Sequence, residues 1–167
     1  MGYFLTHLAG VAAILAAAGA DGATLAAPID LHADGAVAAA RGRPLIVLFS
    51  LPDCHYCEVV RRNYLAPLAA LPHEAQRPVV RELELTATAP IAGFRGDKTS
   101  GAALASKYGV RFAPTVVMLD RDGVLLAPPL VGGDVAGMYG AYLDRALGEA
   151  QAKLSAVDPK PNNSGKQ

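Results

Sequence analysis

The chain's two cysteines, Cys54 and Cys57, stand three positions apart just after the apolar run at residues 45–49, and that placement limits the fold more than any other feature. The run, Leu-Ile-Val-Leu-Phe, lies between Pro44 and Pro52. It is too short for a helix and continuously apolar, which describes a strand buried on both faces and implies parallel neighbours. From Cys54 to about residue 71, Val59, Val60, Tyr64, Leu65, Leu68 and Leu71 recur at three- and four-residue spacing, so the pair opens a helix that Pro67 should bend. A sulfur at a helix start meets unpaired backbone N–H groups and the positive end of the helix dipole, both of which favour the thiolate. The thiolate is the attacking species in thiol–disulfide exchange.

Other uses of the pair fit less well. A closed zinc site needs four N or S ligands, and His7, His32 and His73 lack ligand spacing relative to the pair. Haem attachment requires His directly after the second cysteine, where this chain has Glu58. A purely structural disulfide between residues three apart closes too small a loop to constrain the unfolded chain much. Redox chemistry remains, with a degenerate, unused site as the other reading. At 167 residues, 52% hydrophobic and 18% charged, the chain is long and apolar enough for one globular domain. Fifteen basic and fifteen acidic residues balance to zero, with no basic patch, so nucleic acid is not an expected partner.

The first twenty residues carry no Asp, Glu, Lys or Arg, and residues 8–18 form an apolar run ending in Ala18-Gly-Ala20, a small-x-small cleavage pattern. Residues 1–27 are therefore expected to be an export signal, cut after Ala20, Ala23 or Ala26, or else an uncleaved membrane anchor. The expected location is periplasmic or secreted. Residues 28–153 should form the domain and residues 154–167, polar and with two prolines, a disordered tail.

Within the domain, a helix is expected over 29–40, capped by Asp30 or Asp34, with Leu31, Ala36, Val37 and Ala40 as its apolar positions. Alternation over 79–85 predicts a second strand. Residues 86–99, with Pro90, Gly93 and Gly96, read as a long loop able to wall a binding groove. Ser100 should cap a short helix that Gly109 ends. A strand is expected over 112–120, then a turn at Asp122-Gly123 into a further strand at 124–127. After Gly132 and Gly133, a last helix over about 134–153 should turn Met138, Tyr142, Leu143 and Leu147 inward.

This order, a strand, Cys-X-X-Cys at a helix start, a short helix ending in Lys107-Tyr-Gly-Val-Arg-Phe-Ala-Pro-Thr115, a hairpin, Gly132 and a terminal helix, resembles the thioredoxin superfamily over residues 30–152. The resemblance implies an α/β three-layer sandwich with a central mixed β-sheet flanked by helices. It implies Cys54 as nucleophile and Cys57 as resolving thiol, with their redox-active disulfide in place of any cofactor. It further implies Pro114 as a cis proline beside the disulfide, with Ala113 and Thr115 completing a substrate-binding strand. Substrates would be protein or low-molecular-weight disulfides, the electron donor a membrane thiol protein, and the chain a monomer. Departures are also visible: no tryptophan, no acid in the strand at residues 47–50, and His55-Tyr56 between the cysteines. Asp53 and Glu58 are then candidates to accept the Cys57 proton, or solvated residues. His55 and Tyr56 read as the redox-tuning pair between the cysteines, with His55 otherwise an exposed side chain and Tyr56 a substrate contact or helix packing. The exported single-domain form with Asp-Cys-X-Tyr-Cys is similar to the SoxW-type thioredoxin-related proteins of bacteria.

Overall fold

In the computed structural model, which describes residues 24–157, the apolar run becomes strand β1 (Leu45–Ser50), buried at every position. It is the middle of the sheet. β1 pairs in parallel with β2 (Val79–Glu84) and antiparallel with β5 (Thr115–Leu119), which in turn pairs antiparallel with β6 (Leu130–Val131). The order is β2-β1-β5-β6, so the sheet is mixed rather than wholly parallel as β1 alone suggested. A strand buried on both faces needs helices above and below, not a particular strand direction.

Alternate side chains of β1 supply the two cores. Leu45, Val47 and Phe49 pack with Leu31 and Ala38 of α1 (Leu31–Ala40) and with Leu104 and Ala105 of α4 (Gly101–Lys107). Ile46 and Leu48 face the other way, toward Val60, Leu65, Leu143, Ala146 and Ala150. The second layer comprises α2 (His55–Val60), a π-helical turn (Arg61–Leu65), α3 (Ala66–Ala69) and α5 (Tyr139–Val157). Full burial of each Leu or Phe stabilises the fold by about 1.5–3 kcal/mol, which makes β1 its main anchor.

The caps follow local chemistry. The Asp30 side chain accepts from the Ala33 N–H at the start of α1, and the Ser100 side chain from the Ala103 N–H at the start of α4. Gly109 follows α4 with φ of +66°, a conformation that costs glycine nothing. Asp34 is not a cap: it is buried and paired with Arg81 of β2.

Several expectations are corrected. The buried face of α1 is Leu31, Asp34, Gly35 and Ala38, while Ala36, Val37 and Ala40 are exposed, because the close approach of Gly35 to the Arg121 carbonyl sets the helix's rotation. The long helix after Cys54 widens into the π turn just before Pro67, where the missing proline N–H breaks the ordinary hydrogen-bond ladder. Residues 86–99 hold a small hairpin, β3 (Ile91–Ala92) with β4 (Lys98–Thr99), turned by Gly93 and Gly96. That hairpin packs on the α1 side, where the Phe94 carbonyl lies 3.1 Å from His32 Nδ1, and does not wall the cleft beside Cys54. Residues 124–127 contribute only a bridge at Leu125, because Pro128 and Pro129 delay the ladder to β6. In α5 the inward residues are Tyr139, Leu143, Ala146 and Ala150, whereas Met138 and Tyr142 are exposed.

The expected signal falls largely on residues 1–23, and the tail from 158 onward, both outside the described residues. Residues 24–27 belong with the domain: Leu25 packs against the core and the Ala26 carbonyl accepts the Glu82 N–H. At the other end, α5 runs through residues 154–157, which the sequence assigned to the tail. Among the described residues, no helix is long and apolar enough to cross a membrane.

Candidate active site

β1 delivers the chain to a turn at residues 51–53, where Asp53 adopts a left-handed φ of 54°. Aspartate tolerates this region better than most non-glycine residues. The turn leaves Cys54 extended at the N-cap of α2, and its Sγ lies 3.2 Å from the Cys57 backbone N. Cys54 and Cys57 are joined in a disulfide, with S–S 2.06 Å and Cα–Cα 5.2 Å. Cys57 is fully buried and Cys54 partly exposed, so the two sulfurs differ in access. An incoming sulfur can reach Cys54 but not Cys57.

The β1–β5 register sets Phe49 beside Thr115, so the disulfide turn and the segment entering β5 leave the sheet at the same end. There the Ala113–Pro114 peptide bond is cis. Ala113 is half-buried, Pro114 and Thr115 are buried, and the Thr115 hydroxyl donates to the Phe112 carbonyl at 2.7 Å. The Pro114 carbonyl accepts the Gly132 N–H at 2.8 Å. Gly133, the next residue, is in close contact with Tyr56: a Cβ there would lie 2.8 Å from the Tyr56 Cβ. The fold thus gathers Cys54, Cys57, Tyr56 and the residues around Pro114 at one end of the sheet.

His55 and Tyr56 are both exposed, and their rings meet edge-on with centroids 5.7 Å apart. Tyr56 therefore does two things at once: its Cβ packs on Gly133 while half of its surface faces solvent. His55 borders a cleft of about 590 Å³ with Cys54, Asp53, Glu58, Arg61 and Glu82.

Arg61 and Glu82 are the site residues that sequence reasoning missed. The Arg61 Nε and Nη2 donate to Glu82 at 2.7 and 2.5 Å, with only 22% and 15% of the two side chains exposed. That bond to Glu82 raises the guanidinium's already high pKa, with burial opposing it. Glu82 sits across from Leu48 in the β1–β2 register. Its carboxylate borders the same cleft as Cys54, with both oxygens bonded to Arg61. By contrast, Asp53 is exposed, and Glu58 pairs at 3.2 Å with Arg62 on the wet face. The one available signal for Glu82 was its place in the β2 alternation, which could not reveal its partner.

A second polar cluster adjoins the site. The Tyr64 hydroxyl donates to Asp134 Oδ2, and Asp134 Oδ1 accepts the Tyr139 N–H at 3.4 Å. The Tyr64 bond holds the Asp134 carboxyl below its ordinary range, and the same bond raises the Tyr64 phenol. Burial pushes the Tyr139 phenol up strongly. Among the described residues, no three His, Cys, Asp or Glu side chains are gathered as ligands of one ion would be.

Comparison with known proteins agrees with this layout. Among solved structures, the chain is similar to DsbH oxidoreductase, with a TM-score of 0.50 at 16% identity over 89% of this chain and 95% of that one. It also aligns with a thioredoxin-fold protein from Helicobacter pylori (TM-score 0.47, 18% identity, 69% of this chain and 81% of that one). A further match is thioredoxin O2 from Arabidopsis thaliana in its oxidised state (TM-score 0.45, 14% identity, 73% and 93%). At such identities the DsbH likeness speaks to the fold alone. No curated protein matches the chain in sequence. The thioredoxin-like domain family does match, over residues 31–146, a span that holds the disulfide, the cis Ala113–Pro114 bond and most of both helical layers; the chain belongs to that family.

Proposed function

We propose that the protein is a thiol–disulfide oxidoreductase that reduces protein or low-molecular-weight disulfides outside the cytoplasm, in the manner of the SoxW-type proteins it resembles. The observation that carries this is the unequal access of the two bonded sulfurs, Cys54 partly exposed at a helix N-cap and Cys57 fully buried. In the reduced protein, the Cys54 thiolate attacks one sulfur of a substrate disulfide, forming a mixed disulfide and releasing the other sulfur as a thiolate. Cys57, once deprotonated, attacks Cys54 Sγ, re-forming the Cys54–Cys57 bond and releasing the second substrate sulfur. Two electrons pass to the substrate. A membrane thiol donor returns them, since soluble reductants are scarce in an oxidising compartment.

In this reading His55, which borders the cleft beside Cys54, tunes the thiolate together with Tyr56, and the segment Ala113–Thr115 with its cis proline meets a substrate strand. The charge-free apolar run at residues 8–18 supports export. The chain would act as a monomer with no metal or organic cofactor.

Insulin-disulfide reduction by wild type and Cys54→Ser tests the reading: loss of activity in the variant is expected, and unchanged turnover would sink it. Direction is read from the reduction potential. A value of about −270 mV supports a reductant, one of about −180 mV an isomerase and one of about −120 mV an oxidant. A Cys54 thiol pKa at or above about 8.5 in the reduced protein would instead favour a non-catalytic binding module.

A further inference from the structure

The segment 132–134 is held from three sides. Gly132 donates to the Pro114 carbonyl, Gly133 lies against Tyr56, and Asp134 accepts the Tyr64 hydroxyl. Two of these contacts are with the helix that carries the cysteines. Tyr64 reaches Asp134 from the π turn, whose one extra residue rotates the remainder of that helix by about 100° relative to a continuous α-helix. Val60 and Leu65 can thereby both be buried while Tyr64 between them faces the 132–139 segment, its ring 4.9 Å from that of Tyr139.

Besides Tyr64, the Tyr139 backbone N–H donates to Asp134, at 3.4 Å. On the other side, the β5–β6 ladder at Val131 and the Gly132 bond to Pro114 tie the segment to the sheet. Gly132 and Gly137 both adopt positive φ, and Val131, Val135 and Met138 are exposed. Without the Tyr64 bond, the segment's only hydrogen bond to the cysteine helix among the described residues is gone, and what remains is the packing of Gly133 on Tyr56.

We infer that Tyr64 and Asp134 are a positioning pair, whose hydrogen bond holds the Gly132–Gly133 backbone against the cysteine helix so that the surface beside Cys54 is preformed for an extended polypeptide substrate. The inference rests on the redox reading but concerns binding, not sulfur chemistry. A preformed surface spares the complex the cost of ordering that segment. Neither side chain touches the reacting sulfurs, so the thiol chemistry should not depend on them.

The test compares Tyr64→Phe, Asp134→Ala and wild type in insulin reduction, with glutathione disulfide as a small substrate that needs no extended surface. Tyr64→Phe removes one oxygen and leaves the ring packing on Tyr139. The expected result is a rise of about tenfold in KM for insulin, the weight of one hydrogen bond to a charged group. The kcat, the Cys54 thiol pKa, the reduction potential and turnover of glutathione disulfide should match wild type. Unchanged KM in both variants overturns the inference alone. So does a fall in kcat with a shifted potential, or a loss of activity explained by unfolding at the assay temperature. Absence of turnover in the wild type overturns the redox reading and this inference with it.

Discussion

Replacing Arg61 by Met should destabilise the fold by about 2 kcal/mol, far more than its position near the surface suggests. The guanidinium makes two bonds to Glu82, and the carboxylate side chain is only 15% exposed. Exposed ion pairs contribute about 0.2–1 kcal/mol, and stranding one member of a fully buried pair costs about 3–5 kcal/mol. Water reaches roughly a fifth of each side chain here, which places the cost between those limits. Removing both charges is different: Arg61→Met with Glu82→Leu leaves no stranded ion and should lie within about 1 kcal/mol of wild type. The double-mutant cycle, measured by urea denaturation, should therefore return a coupling of about 2 kcal/mol, near thirtyfold in the folding equilibrium. In the reduced single variant, the uncompensated Glu82 in the cleft should also raise the Cys54 thiol pKa, and Glu82→Leu should lower it. Additive single effects, or a loss below about 0.5 kcal/mol for Arg61→Met, would refute the argument that the pair is coupled and shielded.

Close packing and burial give two more expected outcomes. Gly101→Ala places a Cβ far inside van der Waals contact with the Glu84 carbonyl oxygen, a backbone atom that cannot swing away. It should cost about 3 kcal/mol by urea unfolding, and a near-neutral result would mean that α4 slides freely against the end of β2. Burial pushes the Tyr108 phenol up to about 12, so ultraviolet titration should show a late ionisation that Tyr108→Phe removes. Because the folded-state value is raised, the associated stability is complete below the unfolded value of about 10 and is lost as pH rises from there toward 12.

What the sequence revealed was local. β1, the capping residues Asp30 and Ser100, the helix stop at Gly109 and the turn at Gly123 each depend on a few adjacent residues, and the fold class followed from their order. What it concealed depended on partners distant in the chain. The inward face of α5 uses Ala146 and Ala150, which read no more strongly than the exposed Met138 and Tyr142, because hydrophobicity does not record how closely a helix can approach a sheet. Arg61 finds Glu82 only through the β1–β2 register, which no residue pattern in either segment specifies. Pro67 marked an irregular helix, but a proline does not say whether the chain bends, breaks or widens, and here the turn before it widens. The Tyr64–Asp134 bond, spanning seventy positions, was invisible for the same reason.

The short stretch ahead of α1 bears on the proposed export leader. The Ala26 carbonyl caps the outer edge of β2 through the Glu82 N–H, and three residues later the Ile29 carbonyl accepts the Ala92 N–H of the small hairpin. One extended segment therefore stitches the two sheets together. A leader removed after Ala20 or Ala23 would leave that stitch whole, whereas a cut after Ala26 would bare a strand edge open to pairing with another chain. If the proposed leader is cut, these contacts weigh against a cut after Ala26, and such a cut should reveal itself as aggregation rather than as lost chemistry.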